Sequence, residues 1–168
     1  MKTRLLALWL VTLVAFVCLA PAQQPPAKGI LTQAQIKKLI PQDYFFAGIT
    51  ASVQPGMNAG VRFANGKVLL AGLVNTSGYS TAIKQKYQAL FLTDSRLKVE
   101  GSELPPGAYG CGFVLGKFHV MNLAAEDVLS VPAQHDNKLQ RAVPLKFVEQ
   151  DGGYRFYAGK NFVTLQPE

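Results

Sequence analysis

A chain of 168 residues with 17 basic and 10 acidic side chains carries a formal net charge of +7, and its cations are scattered, with only Lys37 and Lys38 adjacent. That scatter speaks against a nucleic-acid binder, which shows a clustered basic stripe. Two cysteines, one of them inside an N-terminal apolar run, exclude a disulfide-rich scaffold.

The chain opens with Lys2 and Arg4, an unbroken apolar run from Leu5 to Leu19, and Ala20-Pro21-Ala22. A positive start, an apolar stretch of this length and small residues at the cleavage positions predict a signal peptide over residues 1–22, with the mature protein starting at Gln23. The run falls short of the ~20 residues a membrane helix needs, and no positive stop-transfer cluster follows it. The expected product is secreted or periplasmic, with no stable membrane span after signal cleavage. Loss of Lys2 and Arg4 lowers the net charge from +7 to +5 and leaves Cys111 as the single cysteine. Residues 23–30 read as a Pro-rich linker, and residues 31–168 as a single mainly β domain.

Within the domain an amphipathic helix comes first. Thr32 is placed as its N-cap with Gln35 three residues on, Leu31 and Ile36 occupy the staple positions, and Pro41 ends it. Ile36, Leu39 and Ile40 share one face and the two lysines the other. From Tyr44 onward, short runs of Val, Phe, Tyr, Ile and Leu are separated by Gly, Asn and Asp, which is an all-β texture. The spacing predicts strands near Tyr44–Val53, Gly60–Ala64, Lys67–Asn75, Tyr87–Thr93, Ala108–Leu115, Phe118–Leu123, Pro144–Gln150, Gly153–Ala158 and Asn161–Gln166. A short helix capped by Ser80 fits residues 80–86, and a brief helix or loop fits Ala125–Val128.

Opposed residues of a hairpin share a face, so each turn makes a register prediction. Asn65-Gly66 pairs Phe63 with Val68 and Val61 with Leu70 if the loop has two residues. Asp151-Gly152 and Gly159-Lys160 agree with each other: together they put Leu145, Phe147, Tyr154, Phe156, Val163 and Leu165 on one face. Several such hairpins give an antiparallel β-sandwich, with a β-barrel as the alternative.

The candidate chemistry is sparse. Cys111 and His119 are the residue types of a nucleophilic pair. With Gly116-Lys117 as the turn, however, Cys111 faces Asn122 and shares its side with Tyr109, Phe113, Leu115, Phe118 and Val120, which sends His119 to the opposite face. Free cysteine is among the most buried residue types, so a core role is the first reading of Cys111. Gly110 and Gly112 form a trough on the His119 side, to be filled by a packed element or by a ligand. His135-Asp136 could join His119 or Glu126-Asp127 around a metal, but the spacing matches no metal motif, and nothing in the chain indicates a cofactor. Lys146, Arg155, Tyr157, Lys160 and Phe162 set cations beside aromatics on the outer face of the C-terminal meander. Such a face suits sugars, anionic polymers or a protein partner, or is covered by a loop.

The segment LPPGAYGCGFVLGKFHVM, preceded by KYQALFLTD and followed by VPLKFVEQDGGYRFYAGKNFVTL, resembles a group of short secreted bacterial proteins of unassigned function. It is also similar to periplasmic β-sandwich domains in which an LPxGxY turn opens a hairpin. The resemblance spans most of residues 31–166 and implies a bacterial envelope setting, with no catalytic residue to carry over. The first functional expectation is a non-catalytic envelope module binding an unknown protein or envelope polymer. The second is a small secreted hydrolase or transferase using His119, His135 and nearby acids, and the third a structural subunit of an envelope assembly.

Overall fold

The computed structural model describes residues 27–168, so the expected signal peptide lies outside the described residues. The chain forms two packed antiparallel sheets. The first contains β1 (Gly29–Ile30), β2 (Asp43–Phe46), β3 (Ile49–Arg62), β4 (Val68–Val74), β5 (Ala89–Thr93), β8 (Gly107–Val114), β9 (Lys117–Met121) and β10 (Asp127–Pro132). Its order is β1-β3-β4-β5-β8-β9-β10, with β2 also paired to β3. The second contains β6 (Leu97–Val99), β7 (Ser102–Leu104), β11 (Gln134–His135), β12 (Val143–Gln150), β13 (Gly153–Gly159) and β14 (Asn161–Pro167), in the order β12-β13-β14-β6-β7 with β11 on β14. No hydrogen-bonded ladder joins the two sheets among the described residues, so they form a sandwich and not a closed barrel.

The chain crosses between the sheets through short buried devices. Leaving β5, the Thr93 hydroxyl donates to the Ser95 carbonyl at 2.7 Å and the Ser95 hydroxyl donates to the Glu168 carbonyl at 2.9 Å. Returning at LPPGAY, two prolines without N–H groups end the pairing of β7. The Tyr109 ring then folds back over Gly107, and its hydroxyl donates to the Pro105 carbonyl at 2.9 Å. A Cβ at Gly107 would come within 2.8 Å of that hydroxyl, which is why the residue is glycine. The motif is thus a crossover between sheets that leads into β8.

Between the sheets lies the main core. Phe156 is fully buried at its centre, with ring centroids 4.9 Å from Phe147, 5.5 Å from Phe91 and 5.9 Å from Phe118. The C-terminal meander has the expected register, with Phe147 opposite Phe156 and Phe156 opposite Val163. Its six inner residues all join this core.

The outer face of the first sheet is also covered. The helix α1 (Gln33–Leu39) is closed by a capping box in which the Thr32 hydroxyl accepts from the Gln35 amide and the Gln35 side chain accepts from the Thr32 amide. It lays Ile36 against Leu31 and Leu70. A second helix, α2 (Thr81–Lys86), is capped by Ser80 and leads into Tyr87, whose ring stacks on Phe46 at 3.9 Å.

Several local expectations are corrected. Residues 29 and 30 pair with Arg62 and Val61, so they belong to the sheet and not to the linker. The run Tyr44–Val53 is a hairpin, turning at Ala47-Gly48, where both residues have positive φ (48° and 80°). The Asn65-Gly66 loop has one residue more than supposed: the Phe63 amide donates to the Lys67 carbonyl, and Val61 faces Leu69. Phe63 and Val61 therefore share the main core with Leu69, while Leu70 turns outward to α1. Of the brief helix or loop expected at Ala125–Val128, the loop holds at Ala125 and Glu126, while Asp127–Pro132 are a strand, and β6 and β7 leave no period to detect because each has only three residues.

Candidate functional site

The β8–β9 hairpin turns at Leu115-Gly116, one residue earlier than Gly116-Lys117, with φ of 48° and 74°. Cys111 consequently faces Val120 and not Asn122, and Leu115 sits 98% exposed at the tip instead of lining the core. The parity is unchanged by a shift of both partners. Cys111 lies in the main core with Phe118 and Val120, while His119 pairs with Gly112 and points to the other face. Burial pushes the Cys111 thiol well above its ordinary range, so no thiolate is available. The two residues do not form a nucleophilic pair.

The glycine trough is filled from within the chain. A Cβ at Gly110 would lie 2.5 Å from the Phe46 ring, and one at Gly112 would strike the Lys86 backbone carbonyl. Gln88 seals the Gly112 end, donating to the Phe113 carbonyl at 3.1 Å and accepting from the Phe113 amide at 3.0 Å. The trough is thus a seat for β2 and the end of α2, and α1 does not occupy it. His119 stands beside this seat with its Nδ1 buried and without a partner. Burial first, then the nearby Lys86 cation, holds its pKa below the ordinary value.

The other titratable candidates are dispersed. His135 is on the second sheet, exposed, with Nδ1 2.8 Å from Asn161 Oδ1. Asp127 pairs with Lys86 at 2.6 Å, Glu126 accepts from the Asn122 amide at 2.7 Å, and Asp136 accepts from the Tyr157 hydroxyl at 3.0 Å. No three His, Cys, Asp or Glu side chains come together among the described residues. On the meander face, Tyr157 and Phe162 are buried and stacked at 5.0 Å, and the Arg155 guanidinium lies 4.7 Å over the Phe162 ring while its Nε donates to Gln150. Those side chains are committed to each other, which leaves Lys146 as the exposed member of the group.

A cleft of about 490 Å³ lies instead between α1 and the middle of β3. It exists because β3 bulges. Val53 pairs with Val74 but Asn58 pairs with Gly72, so the segment Gln54–Met57 loops out of the ladder. Pro55, which cannot donate to a ladder, and Gly56, at φ +78°, form the outer wall. Ala34 and Lys37 of α1 form the opposite wall, and Ile40 and Val53 supply an apolar floor. Gln33 ties the helix to the strand by donating from Nε2 to the Asn58 carbonyl at 2.8 Å.

Asn58 lines this cleft and is 7% exposed, yet its side-chain Oδ1 has no hydrogen-bond partner. A buried unpaired acceptor costs about 1–3 kcal/mol and is rare in folded proteins. The volume falls in the ~300–1,000 Å³ range of small-molecule sites, and Ile40, Pro41, Val53 and Pro55 line it together with the polar side chains of Gln33, Lys37, Gln42 and Asn58. Sequence reading passed over the cleft, although Pro55-Gly56 interrupts a strand pattern and marks the bulge. Comparison of the chain with protein-family models, curated proteins and solved structures finds no match, so the functional reading rests on geometry and chemistry.

Proposed function

We propose that this chain is an exported binding module of the bacterial cell envelope, acting without catalysis and holding its ligand in the cleft between α1 and the bulge of β3. The observation that carries the reading is the cleft itself: a recess of about 490 Å³ between helix and bulge, with Ile40, Pro41, Val53 and Pro55 as its apolar lining and Gln33, Lys37, Gln42 and Asn58 as its polar one. A hydrolase or transferase built on His119 and His135 has less to stand on, since the two histidines sit on different sheets and Cys111 faces away from His119. Export follows from the signal-like N-terminus, and among the described residues no helix is long and apolar enough to cross a membrane.

The reading is tested with the full chain expressed in a bacterial host and recovered from the envelope fraction. Ala34→Trp places an indole in the cleft, and Lys146→Ala alters the distant meander face. The expected result is that a co-purifying component, detected by mass spectrometry of the extracted protein, disappears in Ala34→Trp and persists in Lys146→Ala. Retention of that component by both variants would place binding elsewhere.

A further inference from the structure

We propose that one end of the sandwich docks on an anionic lipid bilayer, with Leu115 as its apolar anchor and Lys117, Lys138, Arg141 and Lys160 as the cations that meet the headgroups. This surface is separate from the cleft, and two independent observations carry it.

The first is Leu115 itself. It is 98% exposed, whereas the next most exposed large apolar side chain, Phe45, is at 56%. It also holds φ at +48°, a conformation that costs a leucine energy and that asparagine or glycine takes readily. The other described non-glycine residues with positive φ are Ala47, Glu100 and Ala125, and none is a large apolar side chain. Neither turn propensity nor core packing accounts for a leucine at this tip.

The second is where folding gathers the cations. The Leu115-Gly116 tip meets the crossover from β10 to β11, since the Ala133 amide donates to the Gly116 carbonyl at 2.8 Å. Just beyond, His135 pairs with Asn161, and the Asp136 amide donates to the Lys160 carbonyl at 2.9 Å. The loop that follows ends where Val143 pairs with Gly159. These turns share one end of the molecule and carry Lys117, Lys138 and Arg141, all exposed, and the partly exposed Lys160. The carboxylate among them, that of Asp136, accepts from the Lys138 amide and the Tyr157 hydroxyl, and Glu100, beside Gln134, accepts from the Thr164 amide. At the opposite end, where Asn65-Gly66 and Asp151-Gly152 turn, Asp94, Asp151 and Glu168 offset Lys67 and Arg96. Basic residues dispersed along the sequence thus concentrate around the projecting leucine. A bilayer uses both features: the leucine enters the acyl boundary, and each cation is drawn to the negative surface. An acidic protein surface would engage the cations and leave Leu115 in water.

Single-tryptophan proteins test this. In the full chain Trp9, the only tryptophan, is replaced by Phe, and a reporter is placed at the tip by Leu115→Trp or at the opposite end by Lys67→Trp. Each is recovered from the envelope fraction of a bacterial host and mixed with vesicles of phosphatidylethanolamine and phosphatidylglycerol, or of phosphatidylcholine alone. The anionic vesicles should blue-shift the emission of Leu115→Trp and leave that of Lys67→Trp unchanged, and phosphatidylcholine should shift neither. In vesicle sedimentation, Lys117→Gln combined with Lys160→Gln should weaken binding by ~10-fold or more, and raised salt should weaken it too. Leu115→Asn should weaken binding by ~5-fold or more while raising the denaturant midpoint, because asparagine accepts the positive φ. Equal shifts of both reporters, no shift with anionic vesicles, or binding indifferent to the lysine pair overturns the proposal. A Leu115→Asn protein less stable than the native one also overturns it, by making the leucine structural, as does capture of an acidic protein at the tip without any vesicle shift.

Discussion

At Gly110 and Gly112 the missing side chain is what allows a second layer to settle on the sheet. The Phe46 and Tyr87 rings occupy the space over Gly110, and the Lys86 backbone occupies that over Gly112. Gly110→Ala is expected to cost about 1–3 kcal/mol, because an aromatic pair must move to admit one methyl. Gly78→Ala is its control: the added Cβ meets only Ile49 at 3.7 Å, and the change should stay within ~0.5 kcal/mol. Denaturant midpoints with unchanged slopes would decide between them. Asn58 presents the opposite case, a side chain kept where an apolar one would pack with less cost. Asn58→Leu should raise the stability of the protein by ~1 kcal/mol, and a destabilised Asn58→Leu protein would show the carbonyl to be structurally satisfied. The fate of the Cys111–His119 pair was legible from the strand period alone, since a shift of the turn that keeps loop length leaves side-chain parity intact. The partner opposite Cys111 was not legible, because Leu115-Gly116 and Gly116-Lys117 are both plausible two-residue turns by composition.

Among the elements, α1 is both a wall of the cleft and the most plainly written segment of the sequence. Thr32→Ala removes the hydroxyl half of the capping box and should cost ~1 kcal/mol, with a parallel loss of cleft binding as the helix frays. The seat of α2 on β8, next to His119 of β9, carries a pH dependence. His119 Nδ1 is buried without a partner, and the groups facing it are Lys86 and Lys117, which disfavour its protonation, and Asp127, which favours it. With its folded pKa below the ordinary value of about 6.5, the unfolded chain takes up the proton first as pH falls. Stability contributed by neutral His119 is therefore full above pH ~6.5 and declines as pH drops toward the folded value, below which it declines no further. His119→Gln should flatten that part of the stability–pH curve, measured by urea unfolding between pH 7.5 and 4.5. An unchanged slope would assign it to other groups. Asp136 acts in a lower window: its carboxylate is held below the usual range by the Lys138 amide and the Tyr157 hydroxyl, so its contribution persists at neutral pH and fades only under acid conditions.

For the whole molecule, cohesion comes from the inter-sheet core. Phe156 touches aromatic rings from both sheets, so Phe156→Ala should cost about 3–5 kcal/mol, more than any surface change, and a loss below ~1.5 kcal/mol in thermal unfolding would mean that the sheets repack around the hole. The meander around it was readable strand by strand because two short turns imposed the same face. The Asn65-Gly66 hairpin was misread because the dipeptide marks a turn without fixing the loop length, and one extra residue exchanged Leu70 for Leu69 in the core. Strands of three residues such as β6 and β7 leave no period to detect.

Local chemistry written in the chain determined the β texture, the capped α1 and the opposed faces of Cys111 and His119, since caps, turns and side-chain alternation act over a few residues. Only the tertiary structure decided which element fills the glycine trough, that the meander aromatics are stacked and buried, and that α1 stands off from β3 to leave a cleft. Each of those depends on residues distant in sequence meeting across a sheet face. The bulge at Gln54–Met57 becomes a binding wall because α1, some twenty residues earlier, lies opposite it, and no local rule specifies that distance.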